Sequence, residues 1–206
     1  MLAASPGRAR RNKGDARVSD QNREETPKVG AGQPVADAGR WTGSLTTRSG
    51  FTFHVRPARP GDEEQLAEFF RHVSEDDIRF RFLIALDKVG QDRLVAMTAF
   101  DRDRTENFLA LDDEGRILAT GMLAADPQLE RGEVAISIRT DHKRRGISWT
   151  LLEHIAAYAE ARGIKTLESI EARENRAAIE LEQEMGFTAH PLEDDPTLVL
   201  VRRTLG

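Results

Sequence analysis

Three cations and a glycine, Lys143-Arg144-Arg145-Gly146, stand immediately before Ile147 and Ser148, where an alternating apolar pattern gives way to a helical one. Backbone N–H groups at a helix start have no partner within the helix, and the helix dipole adds positive charge there. A glycine lets a ligand come close to that backbone. Residues of these types at this spacing suit an anion, and the acidic groups of a phosphorylated cofactor would sit on them. Other chemistries find less to work with. The chain has no Cys, which removes thiolate nucleophiles, thiolate metal sites and disulfides. His54, His72, His142, His154 and His190 are scattered without a His-x-x-x-His pair, so no metal is expected. A Gly-x-Ser-x-Gly elbow, which would support serine hydrolase chemistry, is missing.

The elements that must position this turn are legible on both sides of it. Glu133 to Arg139 alternates, with Val134, Ile136 and Ile138 on one face, which is the period of a half-buried strand. Leu151, Leu152, Ile155, Ala156 and Ala159 recur at helical spacing, and Gly163 supplies the stop. Upstream, Phe51, Phe53 and Val55 alternate in a first strand ended by Pro57. Asp62-x-x-Gln65 and Ser74-x-x-Asp77 each read as a cap that opens a helix, and a shorter helical stretch spans about 91 to 99. Strands at 107–111 and 116–124 flank Asp112-Asp-Glu-Gly115, a hairpin turn. A strand at 166–170, a helix after Asn175 and a last strand at 197–205 complete the order. This predicts a mixed α/β domain over residues 47–206, with a central sheet of about six to seven strands flanked by helices.

Residues 1–46 carry no periodic apolar pattern and are expected to form a disordered tail. The net charge of −5 is unevenly spread: residues 1–50 hold nine Lys/Arg against five Asp/Glu, and the remainder 21 against 30. An acidic domain does not suit nucleic acid, whose phosphates dominate such affinities. No apolar run approaches the roughly 18 residues of a membrane helix. Met1-Leu-Ala-Ala-Ser is interrupted too soon by Arg8 for a secretory signal, so a cytoplasmic location is expected.

Lys143-x-x-Gly146-x-Ser148, the helix running into Tyr158-Ala-Glu-Ala-Arg-Gly-Ile164, Glu174-Asn175-Arg-Ala-Ala and Glu184-Met-Gly-Phe187 follow one another at set distances. This order closely resembles the GNAT superfamily of acyl-coenzyme A-dependent N-acyltransferases, over about residues 51–206. The resemblance implies acetyl-CoA as co-substrate. Its pyrophosphate would rest on main-chain N–H groups of Lys143, Arg144, Arg145, Gly146, Ile147 and Ser148, with Ile138, Arg139 and Asn175 as further cofactor-binding residues. Backbone N–H groups around Ile138 would supply the oxyanion donors. An attacking amine must lose a proton, and Glu133 lies where many relatives carry a catalytic glutamate. A narrower likeness, Val55-Arg-Pro-Ala-Arg-Pro-Gly-Asp62 with Val73-Ser-Glu-Asp and Arg79-Phe-Arg-Phe82, is to bacterial Pat-type protein lysine acetyltransferases. It makes a protein lysine the expected acceptor, ahead of a small-molecule amine or a non-catalytic acyl-CoA sensor. Two departures stand out. Ser148 replaces the loop's last Gly or Ala, and Glu182 stands where relatives often place the tyrosine that protonates the leaving thiolate.

Overall fold

The computed structural model describes residues 39–84, 86 and 88–206. The tail expected over residues 1–46 therefore lies mostly outside the described residues. Its last stretch is strand: β1 (Gly43–Thr46) pairs antiparallel with β2 (Thr52–Pro57), so the expected boundary at 46/47 cuts through a hairpin.

Three short helices follow, α1 (Glu63–Phe70), α2 (Glu75–Phe82) and α3 (Gln91–Ala96). Then come β3 (Thr105–Leu111), β4 (Ile117–Ala125) and β5 (Arg131–Ile138), a meander whose first turn is the expected Asp112–Gly115 hairpin. A 3-10 turn (Thr140–His142) leads to α4 (Ile147–Ala161), β6 (Thr166–Ala172), α5 (Arg176–Glu184), β7 (Thr188–Pro191) and β8 (Leu198–Thr204). The strand order is β1-β2-β3-β4-β5-β6-β8-β7. Eight strands thus replace the expected six to seven, the additions being β1 and β7.

Both faces of the sheet are covered, which explains the unbroken apolar runs in β3 and β4. Phe108, Ala110, Leu118 and Leu123 face one core with Leu151, Leu152 and Ile155 of α4. Leu109, Leu111, Ile117 and Met122 face the other, with Leu66, Phe69 and Phe70 of α1. The α4 face is packed so closely that a Cβ on Gly121 of β4 would fall 2.5 Å from Ile155 Cδ1. Added volume in such a core costs about 1–3 kcal/mol. This tight contact seats α4, and with it the loop at its N-terminus, against the middle of the sheet.

The caps divide. The Ser74 hydroxyl accepts from the Asp77 N–H at 3.3 Å, as expected. Asp62 makes no such bond; its carboxylate accepts from Arg56 Nη1 and Nη2 at 2.7 and 2.8 Å and from the Arg59 N–H at 2.9 Å. Two parallel bonds from a guanidinium outweigh a single capping bond from a backbone N–H.

Candidate active site

Among the described residues, β5 and β6 are the sheet's one parallel pair, and their pairing covers Arg131–Thr166, Gly132–Leu167 and Glu133–Glu168. Beyond Glu133, β5 continues to Ile138 against β4, and β6 continues to Ala172 against β8. The two strands diverge, and a cleft of about 670 Å³ opens between them. Its walls come from β5 from Glu133 onward, from Ile170 and Glu171 of β6, from Asn175 just ahead of α5 and Leu181 within it, and from Phe80 and Phe82 of α2.

At one end lies the basic loop. Arg144 (φ 63°) and Gly146 (φ 82°) are both left-handed. Alternation of this kind turns successive N–H groups toward one side, an anion-binding nest. A non-glycine residue in that region costs roughly 1–3 kcal/mol and persists only where neighbours hold it. Here they do. The Lys143 ammonium pairs with the Asp77 carboxylate of α2. The Ser49 hydroxyl donates to the Arg145 carbonyl at 3.1 Å, and the Arg145 guanidinium lies 5.1 Å from the Phe51 ring centroid. Arg48 of the same hairpin stacks 3.9 Å over Trp149 in the first turn of α4.

The helix start behind the loop is electrostatically open. α1 begins with Glu63 and Glu64 and α2 with Glu75, Asp76 and Asp77, so their dipoles meet acids of their own. α4 has no acidic residue in its first turn. The nest and the helix start together suit an anion.

The expected site residues fall into two groups. Glu133, Ile138, Lys143, Arg144, Gly146, Ser148 and Asn175 all line the cleft. Arg139, Arg145 and Ile147 do not present side chains to it. The Arg139 guanidinium is held by Asp141 at 2.9 and 3.0 Å and keeps that carboxyl well below the usual range. Ile147 is buried in the core. His142 stands beside Asp141 at 2.8 Å, outside the cleft lining.

A second polar group gathers at the same cleft; the sequence singled out its Asn175 and Glu182 but not Ser169 or Glu171. Asn175 donates to Glu171 Oε2 at 2.7 Å instead of capping α5. Glu182 is 5% exposed; its Oε1 accepts from the Ser169 hydroxyl at 2.6 Å, and its Oε2 is buried without a partner. Burial, and then the charge of Glu171, push the Glu182 carboxyl well above the ordinary carboxylate range, against the Ser169 bond. Burial likewise raises Glu171, opposed by Asn175 and by the charge of Arg81 from α2. Nothing in the spacing of Arg81, Ser169, Glu171 and Glu182 announces the cluster, because three separate segments, α2, β6 and α5, must meet to form it. Among the described residues, no group of three His, Cys, Asp or Glu could hold a metal ion, and no helix is long and apolar enough to cross a membrane.

Comparison with known proteins agrees with this geometry. Residues 64–187 match the acetyltransferase (GNAT) family. An acetyltransferase of Pseudomonas aeruginosa is 27% identical over 154 residues, 73% of this chain and 83% of that one. The GNAT domain of S. lividans PAT superimposes with a TM-score of 0.75 at 26% identity, covering 81% of this chain and 98% of that domain. A cAMP-binding acyltransferase from Mycobacterium smegmatis shares the fold at a TM-score of 0.56 and 17% identity, over 82% of this chain and 49% of its own.

Proposed function

We propose that this chain, which belongs to the acetyltransferase (GNAT) family and is an acetyl-CoA-dependent N-acetyltransferase, transfers the acetyl group to a protein lysine side chain with Glu133 as general base. The observation that carries the base assignment is position. Glu133 is the last β5 residue paired with β6, so it stands where the cleft begins, on the strand that leads into the basic loop. The loop's N–H groups hold the pyrophosphate, the β5 backbone beyond Glu133 offers donors to the acetyl carbonyl, and Glu133 takes the amine's proton directly or through water. Two features favour a lysine of a protein as acceptor: the acidic balance of residues 51–206 suits a basic partner, and the Pat-type likeness lies in Val55–Asp62, ahead of α1, and in Val73–Asp76 and Arg79–Phe82, at and within α2.

Thiol release from acetyl-CoA tests the reading. Turnover with lysine-bearing proteins or peptides, and little with small amines, is the expected outcome. Turnover with small amines alone would replace the acceptor, and binding of acetyl-CoA without turnover under any acceptor would leave a sensor in place of an enzyme.

A further inference from the structure

Resting on the reading that acetyl-CoA is the acyl donor, we propose that Glu182 is the proton donor to the departing thiolate. The geometry points to it. Glu182 projects from α5 into the cleft that Glu133 also lines. Its Oε1 is fixed by the Ser169 hydroxyl, while Oε2 is buried and bonded to nothing. A buried carboxyl oxygen left unsatisfied costs about 1–3 kcal/mol unless a partner arrives. A bound substrate is the partner that would arrive.

The chemistry needs such a group. Alkyl thiols such as cysteine's titrate near 8.5, so the departing sulfur takes up a proton near neutral pH. Arg81 Nε and the Ser137 hydroxyl are also unpartnered in the cleft, but both hold their protons too tightly to serve as acids near neutral pH, and several other groups are engaged elsewhere. Glu133 takes a proton and cannot also supply one in the same step. Lys143 and Asp77 are paired with each other, and Glu171 is held by Asn175. Tyr158 is buried in the core against Phe108 and Trp41. Glu182 faces Glu171 and Ser169 of β6, with Arg81 of α2 and Glu133 of β5 on the same cleft, and its raised pKa keeps it protonated at neutral pH. As the amine nitrogen bonds to the acetyl carbon, Glu133 takes the nitrogen's proton. The C–S bond breaks with its electron pair going to sulfur, and the Oε2 proton of Glu182 passes to that sulfur. The proton on Glu133 returns to Glu182 through solvent, so no further reactant is consumed.

Glu182→Gln keeps the shape and removes the acid. Its kcat should fall about 10²–10⁴-fold. The alkaline limb of the wild-type rate profile, which reports ionisation of Glu182, should vanish with it. Ser169→Ala removes a bond that favours the charged form, so that limb should move to higher pH; Glu171→Gln removes the like charge and should move it lower. These shifts do not depend on the Gln variant folding. A readout without turnover is calorimetry of free CoA binding to the unloaded protein. Wild-type affinity should drop as pH rises and a carboxylate forms beside the thiol, and the Glu182→Gln profile should stay flatter. A wild-type enzyme that acetylates while Glu182→Gln keeps kcat and the alkaline limb, or while Ser169→Ala leaves the limb in place, overturns the proposal. A wild-type protein that transfers nothing from acetyl-CoA overturns instead the reading on which it rests.

Discussion

Replacing Gly146 probes the loop more sharply than any other substitution, because two separable strains meet there. The residue is left-handed at φ 82°, and a Cβ built on it would lie 3.1 Å from Thr47 Cβ. The left-handed conformation costs an L-residue roughly 1–2 kcal/mol. The Thr47 contact adds a share that depends on how far the β1–β2 hairpin can give. In Gly146→Ala a total of about 2 kcal/mol must appear either as lost stability, if the loop keeps its shape, or as lost affinity, if it moves. Lost stability is worth about 2–4 °C of Tm per kcal/mol at this chain length. Lost affinity is worth tenfold in Kd per 1.4 kcal/mol. Thermal denaturation and acetyl-CoA calorimetry on the same variant therefore close the sum. Thr47→Gly removes the contact and leaves the backbone strain, but it also removes the hydroxyl that bonds Ser49 and accepts from the Phe51 N–H, so the double variant should lose less than the sum of the two single variants. Gly146→Glu sets a negative charge among the N–H groups and should lose affinity well beyond the alanine variant. A folded Gly146→Glu protein that binds acetyl-CoA as the wild type does would refute the assignment of the loop to the pyrophosphate.

Glu133→Gln should lower kcat about 10²–10⁴-fold with acetyl-CoA affinity almost unchanged. The defect should shrink at high pH, where the amine deprotonates by itself; wild-type turnover across pH would assign the proton to another group. A chain beginning at residue 39 should keep the Tm of the full chain, whereas one beginning at Thr47 loses β1 and the Trp41 ring, whose centroid lies 5.2 Å from that of Tyr158. Burial of a large apolar side chain contributes about 1.5–3 kcal/mol, so denaturation should show the shorter chain clearly destabilised; equal midpoints would return the hairpin to a dispensable tail. Glu171 and Glu182 have folded pKa values above their unfolded ones, so the folded state binds more protons in the window between the two. Their contribution to stability is present at acid pH and is lost as pH rises through that window. Urea midpoints should thus fall less from pH 5 toward 8 in a Glu171→Gln, Glu182→Gln double variant than in wild type, and parallel profiles would contradict the burial of this pair.

What could be read from the chain, and what could not, divides along the range of the interactions involved. The loop was legible because its determinants are contiguous: a strand period, a run of cations, a glycine and a helical period within about thirty residues. β1 was not, because Gly43-Ser-Leu-Thr46 has one partly buried residue and becomes a strand only through β2 beside it. Asp62 was misjudged for the same reason. Its spacing to Gln65 is that of a capping box, and only the folded chain brings Arg56 across to claim the carboxylate. The cleft is the extreme case. Alternation marks β5 and β6 as strands along their length, yet the cavity exists because their pairing stops at Glu133 and Glu168. Periodicity does not record where two strands part. A cluster such as Ser169, Glu171 and Glu182 can therefore form only after α5 has packed over β6; the resemblance singled out Glu182, but local spacing leaves its partners Ser169 and Glu171 unmarked.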